Sequence, residues 1–190
     1  MVWKEHTYPL QLYYNTNIAL WGKKIIILKC MGKLSIGGTM LYYECLLDLR
    51  KDNNYTIMEM SKLLNTSKSN YQRWETGERF IPTSSLNEIS SLFKVSVDYL
   101  LGITRINNSD ISYFDKLNKK LIGHNIKKFR QENNLSQKEL AKFLNTSQST
   151  ISAYENGHTL ILSIFIYQIC SKYKISADWL LGKSTHEKLK

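Results

Sequence analysis

The residues from Gln148 to Tyr154 divide between two faces of a predicted helix. Ile151 and Tyr154 are three positions apart, which suits a stripe that packs on a core. The opposite face carries four residues, Gln148, Ser149, Ser152 and Ala153. A Gln amide can form two hydrogen bonds with adenine, a Ser hydroxyl can bond either kind of base edge, and an Ala methyl can contact the thymine methyl. On its own, such a face would equally suit a solvated helix surface.

This segment belongs to an internal repeat. When the sequence is shifted by 80 positions, residues 41–102 (copy one) align with residues 121–182 (copy two) without a gap, and 22 of 62 positions are identical. A period this long indicates two small domains rather than a solenoid. The polar run from Asn107 to Asp110 marks a linker. We therefore expect an N-terminal segment at 1–40, domains at 41–102 and 121–184, a linker at 103–120 and a tail at 185–190.

Copy two contains start and stop signals for short helices. Ile122, Ile126 and Phe129 recur at helical spacing. Ser136 and Glu139 form a capping box that opens a second helix, and Asn145 tolerates the left-handed backbone with which a helix ends. A third helix is then capped at the position of Ser147, a fourth begins near residue 162, and a fifth runs from Ser176 to Gly182. Copy one has the corresponding signals at Thr56, Glu59, Asn65, Ser67, Pro82, Ser96 and Gly102.

The sequence SQKELAKFLNTSQSTISAYENG resembles the helix-turn-helix of phage repressors and Cro-type regulators, the XRE family. The preceding IKKFRQENNL and the closing ISADWLLG match the family pattern as well. The resemblance covers both copies and is stronger in copy two. It implies an all-α fold with two tandem five-helix lambda-repressor-like domains, an extra N-terminal segment, double-stranded DNA as the partner, and a bacterial or phage origin.

The resemblance also assigns roles to individual residues. In copy two it implies that Gln148, Ser149, Ser152 and Ala153 contact bases, and that three further residues hold phosphates, Gln137, Ser147 and Asn156. It also implies that Arg130 with Glu155, and Arg50 with Glu75, form partly buried salt bridges with a structural role.

Copy one carries different side chains on the same face. The predicted DNA-contacting residues are Ser67, Lys68, Ser69, Gln72, Arg73 and Thr76. Lys and Arg pair well with guanine, but Ile57 replaces the phosphate-binding Gln137. The net charge is −1 over residues 41–102 and +5 over residues 121–190. Copy one is thus either a weaker DNA-binding domain, a partner-binding domain or a degenerate one, and two dissimilar half-sites are expected if both copies bind.

Composition agrees with an acidic partner and offers little for catalysis. The chain of 190 residues has a formal net charge of +10 and a sequence pI near 9.4. No spacing typical of metal ligands, phosphate-binding loops or nucleophilic triads occurs, so we expect no enzyme activity, no metal and no cofactor. The three cysteines are interpreted as free thiols in the cytoplasm, and no apolar run is long enough for a membrane span.

Two segments leave alternatives open. The first 40 residues could pack on copy one through their aromatic residues, contain a short strand at the IIIL run, or be absent if translation starts at Met40. The fourth helix of copy two has four extra apolar residues, Leu162, Ile164, Phe165 and Tyr167. They predict either a larger core or an interface around Phe165, with copy one, the N-terminal segment or a second subunit.

These observations favour a sequence-specific transcriptional regulator, most simply a repressor, that inserts the third helix of one or both domains into the major groove. Two rival functions remain: the antitoxin of a toxin–antitoxin pair, and a protein–protein adaptor with degenerate helix-turn-helix domains.

Overall fold

The computed structural model describes residues 19–21, 24–26, 42–107, 110–114 and 116–189. The chain forms two compact units, Met1–Ser35 and Ile36–Lys190. In the first unit, β1 (Ala19–Trp21) pairs antiparallel with β2 (Lys24–Ile26), with Leu20 opposite Ile25. The short strand expected at the IIIL run is thus confirmed for Ile25 and Ile26. The suggested start at Met40 lies outside the described residues.

The second unit consists of the two copies, each with five helices, and the expected all-α fold of the tandem domains is confirmed. Copy one contains α1 (Tyr42–Asp52), α2 (Ile57–Leu63), α3 (Lys68–Glu75), α4 (Thr83–Phe93) and α5 (Val97–Leu100). Copy two contains α6 (Lys119–Glu132), α7 (Gln137–Phe143), α8 (Gln148–Glu155), α9 (Ser163–Tyr173) and α10 (Ala177–Leu180). Helix α6 begins two residues before the position 121 at which the repeat alignment starts.

The predicted caps are present and explain where the helices begin and end. Both capping boxes form: the Thr56 and Ser136 side chains accept from the backbone N–H groups of Glu59 and Glu139, whose carboxylates accept in return. Asn65 and Asn145 have φ values of 44° and 51°, the left-handed conformation that stops α2 and α7. The backbone therefore turns sharply enough for the next helix to start within three residues.

The buried apolar residues of the two copies form one hydrophobic core cluster. In copy two the expected stripe of helix α6 is buried, with Ile122 and Ile126 at 1% exposure, and Ile166 and Ile169 of α9 meet it at 0%. Phe165 packs edge-on against Tyr154 of the same copy, with ring centroids 6.4 Å apart. Copy one has Trp74 and Ser85 at these two repeat positions. Part of the extra apolar volume of α9 thus packs against the core of copy two.

Gly123 allows α6 to cross closely over the end of α8. A methyl group at this position would lie 2.5 Å from the carbonyl oxygens of both Tyr154 and Glu155. Both atoms belong to the backbone, so α8 would have to move to admit a side chain. Copy one has a tyrosine at the equivalent position 43, so the two copies differ in sequence at this crossing.

We predict that Gly123→Ala destabilises the protein by ~1–3 kcal/mol because of this overlap, although Ala is the better helix former. Urea unfolding followed by circular dichroism measures the difference. Lys127→Ala, on the exposed face of the same helix, is the control and should change the free energy of unfolding by less than ~0.5 kcal/mol. Equal stability of Gly123→Ala and the wild type would contradict the close crossing.

The two copies contact each other through pairs of reciprocal hydrogen bonds. The Thr83 hydroxyl donates to the carbonyl of Ile161, and the Ser163 hydroxyl donates to the carbonyl of Ile81, each at 2.5 Å. Thr83 and Ser163 are equivalent in the repeat, as are Ile81 and Ile161. Each copy therefore gives and receives the same contact.

The same reciprocity holds where α5 meets α10. Asp98 accepts from the Ala177 N–H and the Ser176 hydroxyl, each at 2.6 Å. Asp178 accepts from the N–H groups of Val97 and Asp98, each at 3.0 Å. Each carboxylate thus satisfies N-terminal groups of the helix in the opposite copy, which would otherwise lack partners. Both side chains are buried, with residue exposures of 6% and 1%.

One contact at this interface has no counterpart. The Nζ atom of Lys183, which is 1% exposed, donates to Oδ1 of Asn87 at 2.8 Å. The amide of Asn87 in turn donates to the carbonyl of Phe114 at 2.7 Å, and the Ser112 N–H donates to the carbonyl of Lys183 at 2.7 Å. The end of the linker is therefore bound to both copies.

Burial, and then the charge of its partner, raises the pKa of Asp98, and burial likewise raises the pKa of Asp178. The folded state therefore holds a proton more tightly than the unfolded chain does. The stabilising contribution of this pair is fully present below the ordinary carboxyl pKa of 3.8 and is lost as the pH rises through the raised value. Burial lowers the pKa of Lys183 to about 8, so its own titration falls above this window.

We predict that the free energy of unfolding of the wild type falls, relative to that of Asp98→Asn, as the pH rises from about 4 to about 7. The asparagine keeps one acceptor oxygen but cannot ionise, and each unit of pKa shift corresponds to ~1.4 kcal/mol. Urea titrations at several pH values measure this difference. A stability difference that does not vary with pH would contradict the raised pKa of Asp98 in the folded protein.

Candidate nucleic-acid interface

The predicted base-contacting residues of copy two lie together on helix α8. Ser147 caps the helix by accepting from the Thr150 N–H at 3.1 Å, while Ile151 and Tyr154 point into the core. Gln148 and Ser149 are exposed, and Ser152 and Ala153 are half-buried. The first turn of α8 therefore presents an amide and a hydroxyl to solvent, as a helix that enters a groove requires.

The predicted phosphate-contacting residues surround this face but have partners within the protein. Gln137 donates from Nε2 to Oε2 of Glu155 at 2.9 Å. Asn156 donates to the Ser152 carbonyl at 2.9 Å, and the Ser147 hydroxyl lies 2.8 Å from that of Ser149. The three residues are thus held in place, and Ser147 and Asn156 remain exposed at the two ends of α8.

A buried salt bridge fixes α8 on the body of copy two. Arg130 of α6 contacts Glu155 through two parallel bonds of 2.5 and 3.0 Å and donates a third to the carbonyl of Leu135. The hydrogen bond with Glu155 is the main reason that the pKa of Arg130 is raised. Arg50 and Glu75 form the equivalent pair in copy one, at 2.6 and 3.1 Å. Both predicted salt bridges are confirmed, and they tie the first and third helices of each copy together.

We predict that Arg130→Met lowers the free energy of unfolding by ~3 kcal/mol, because it leaves the carboxylate of Glu155 buried without its counter-ion. The control is Arg73→Met, whose partner Glu78 lies 3.7 Å away with both side chains more than half exposed, and which should cost less than ~0.5 kcal/mol. Urea denaturation compares the two. Similar losses for both variants would contradict a structural role for the buried pair.

Helix α3 of copy one also presents its predicted residues to solvent. Ser67 caps the helix at its N-terminal end, and Thr76 follows its last residue. All six predicted residues of this copy are exposed: Ser67, Lys68, Ser69, Gln72, Arg73 and Thr76. The face therefore has the side chains for base contact, with two cations where copy two has none.

Two differences separate this face from that of copy two. Ile57 cannot supply the amide that Gln137 gives to Glu155, so Glu75 lacks that third ligand. In addition, Arg79 donates from Nη1 to Oδ1 of Asn70 at 2.8 Å. Arg79 was not among the predicted residues, although a basic residue soon after α3, at the position that aligns with Thr159, was the signal that could have identified it.

The described residues contain little that points to other chemistry. Within the described part of the chain, no cluster of three or more His, Cys, Asp or Glu side chains could hold a metal ion. Cys45 and Cys170 are free and buried, and burial raises the pKa of the Cys45 thiol to about 12, which keeps it protonated. The helices that the structure describes are each too short or too polar to cross a membrane.

Comparison with known proteins agrees with this architecture. A helix-turn-helix family model matches residues 46–100 and 126–180, which together are more than half of the chain. The antitoxin PezA of Streptococcus pneumoniae serotype 4 (strain ATCC BAA-334 / TIGR4) is 35% identical over 63 residues, 33% of this chain and 40% of PezA. The uncharacterized HTH-type transcriptional regulator YobD of Bacillus subtilis (strain 168) is 33% identical over 64 residues, 34% of this chain and 57% of YobD.

The matched regions therefore span about half the length of these relatives. The family matches fall on the two five-helix copies, and each includes a capped helix with an exposed polar face. This family is a DNA-binding family rather than a family of enzymes. The chain belongs to the helix-turn-helix family of XRE type, with two such domains in tandem.

Proposed function

We propose that this protein is a sequence-specific DNA-binding transcriptional regulator. The observation that carries the proposal is the exposed face of α8, whose anchoring residues are bonded internally while Gln148 and Ser149 are exposed to solvent at its first turn. In this proposal α8 enters the major groove, Gln148, Ser149, Ser152 and Ala153 contact bases, and Gln137, Ser147 and Asn156 contact phosphates. The similarity to YobD, which is named as a transcriptional regulator, supports the same function.

Copy one contributes a second and different contact in this proposal. Lys68 and Arg73 extend from α3 and would prefer guanine, whereas Ser67, Ser69, Gln72 and Thr76 provide polar contacts. Copy two should dominate the affinity because residues 121–190 carry a net charge of +5 against −1 for residues 41–102. The domain limits that we propose are 41–102 and 121–184, and the bound site has two unlike halves.

The simplest regulatory effect is repression in the cytoplasm. A protein bound across an operator excludes polymerase without any further activity, and the described residues contain no group of three or more His, Cys, Asp or Glu side chains that could hold a metal ion. We propose no metal and no cofactor for this function.

A second candidate function is that of an antitoxin, which the similarity to PezA favours. In that case one surface binds a toxin protein and the DNA-binding face regulates the operon. Copy one is the candidate for toxin binding because residues 41–102 have a net charge of only −1 and α2 has exposed apolar residues, with Met58 and Leu63 about half exposed. Co-purification of a neighbouring gene product that arrests growth when expressed alone would favour this function over that of a simple repressor.

We predict that Gln148→Ala weakens binding to the preferred sequence by ~1–3 kcal/mol and leaves binding to random duplex unchanged. Selection from random DNA gives the preferred sequence, and fluorescence anisotropy at several salt concentrations gives the affinities. Lys138→Ala, which removes an exposed cation from α7, is the comparison and should weaken all sequences equally. Equal weakening of all sequences by Gln148→Ala would remove it from the base-contacting set. No salt-dependent binding at all would favour the adaptor function.

A further inference from the structure

The reciprocal contacts between the copies define a pseudo-twofold axis. In an interface with twofold symmetry, a contact from residue i to residue j is accompanied by the contact from j to i. Thr83 with Ile161 and Ser163 with Ile81 meet this condition, with partners that differ by 80 positions. Asp98 and Asp178 meet the same condition, because Asp98 accepts from the N–H of Ala177 and Asp178 accepts from the N–H of Val97. A head-to-tail array of the two repeats would not produce such pairs.

The interface is also built to hold a single arrangement. Its polar side chains are buried, with exposures of 5% for Thr83, 4% for Ser163 and 2% for Asn87. Separation would leave α5 and α10 without the carboxylates that satisfy their N-terminal N–H groups. Hydrogen bonds to charged groups are the stronger ones in proteins, so the cost of separation discourages a hinge motion.

Each recognition helix is fixed to its own side of this interface. Arg50 with Glu75 attaches α3 to α1, and Arg130 with Glu155 attaches α8 to α6. The relation between α3 and α8 is therefore determined by how the copies pack, and the pseudo-twofold axis relates one helix to the other. Dimeric repressors use two recognition helices related in this way to bind two inverted half-sites at a fixed separation.

We propose that one chain acts as an intramolecular pseudo-dimer that recognises two dissimilar half-sites in inverted orientation, at a single spacing set by the α5–α10 interface and not by the linker. This inference rests on the proposed DNA-binding function. Asp98 and Asp178 are then positioning residues that determine specificity without contacting DNA. The dissimilarity of the half-sites follows from Lys68 and Arg73 in α3, where α8 has Gln148 and Ala153.

The linker offers a place at which its length can be changed without touching the interface. Arg105 and Ile106 are exposed, and Ile106 is 72% exposed, whereas the linker contacts the two copies through Asn107, Ser112 and Phe114. A Gly-Ser insertion between Arg105 and Ile106 should therefore lengthen the connection while the copies remain packed.

The test is selection from random DNA duplexes with four full-length proteins. They are the wild type, the chain with the Gly-Ser insertion after Arg105, Asp178→Ala, and Glu88→Ala, which removes an exposed carboxylate from α4 as a control. Sequencing of the selected pools gives the orientation and spacing of the half-sites. Circular dichroism establishes that each protein is folded.

The wild type, the insertion and Glu88→Ala should all select the same inverted, unlike half-sites at one spacing. Asp178→Ala should keep both half-site sequences but spread them over several spacings. A direct-repeat orientation, a spacing that changes with the insertion, a single half-site or a perfect palindrome would each overturn the pseudo-dimer and leave DNA binding intact. If Asp178→Ala does not fold, the insertion decides alone. Failure of every protein to select any sequence would instead contradict the proposed function.

Discussion

The arrangement of the whole second unit depends on two carboxylates that each complete a helix in the other copy. A helix only one turn long leaves nearly all of its N-terminal N–H groups without internal partners. In α5 and α10, Asp98 and Asp178 provide these partners across the interface, where water is excluded. Neither helix is complete without the opposite copy, so the two repeats form one structural body, and their buried apolar residues belong to one core cluster.

Placing two carboxylates in this buried interface has an electrostatic cost, which the pKa values of Asp98 and Asp178 reflect. Burial is the main reason that the pKa values of both carboxyl groups rise, and the charge of Asp178 raises the pKa of Asp98 further. The N–H groups and the Ser176 hydroxyl offset part of the cost, and Lys183 brings a positive charge into the same region. The two carboxylates thus determine which helix ends meet, at a cost in solvation that these bonds offset in part.

Local features of the fold could be predicted from the sequence because they depend on short-range chemistry. The capping boxes at Thr56 and Ser136 and the left-handed Asn65 and Asn145 need only neighbouring residues, and the repeat doubled each signal. The exposed faces of α3 and α8 followed from helical spacing in the same way. The salt bridges came from the family resemblance, and the structure confirms them.

The packing of the copies could not be predicted, since it pairs residues that are about 80 positions apart and uses polar atoms rather than an apolar stripe. The aromatic excess on α9 drew attention to Phe165, which contacts Tyr154 within its own copy, and an interface through Phe165 stays a prediction. Asp98 and Asp178 looked like ordinary first-turn acids, which favour any helix N-terminus. Only the three-dimensional arrangement reveals that each serves the opposite helix.

The contact between Lys183 and Asn87 shows what fusion of two domains into one chain makes available. In a homodimer, any residue on one side of the axis has its identical counterpart on the other, so a unique donor–acceptor pair across the axis cannot arise. Here the counterparts are Ile103 and Tyr167, and two copies of the second domain would place Lys183 against an aromatic ring instead of an amide oxygen. The buried ammonium group therefore favours pairing of a first domain with a second domain over pairing of two second domains.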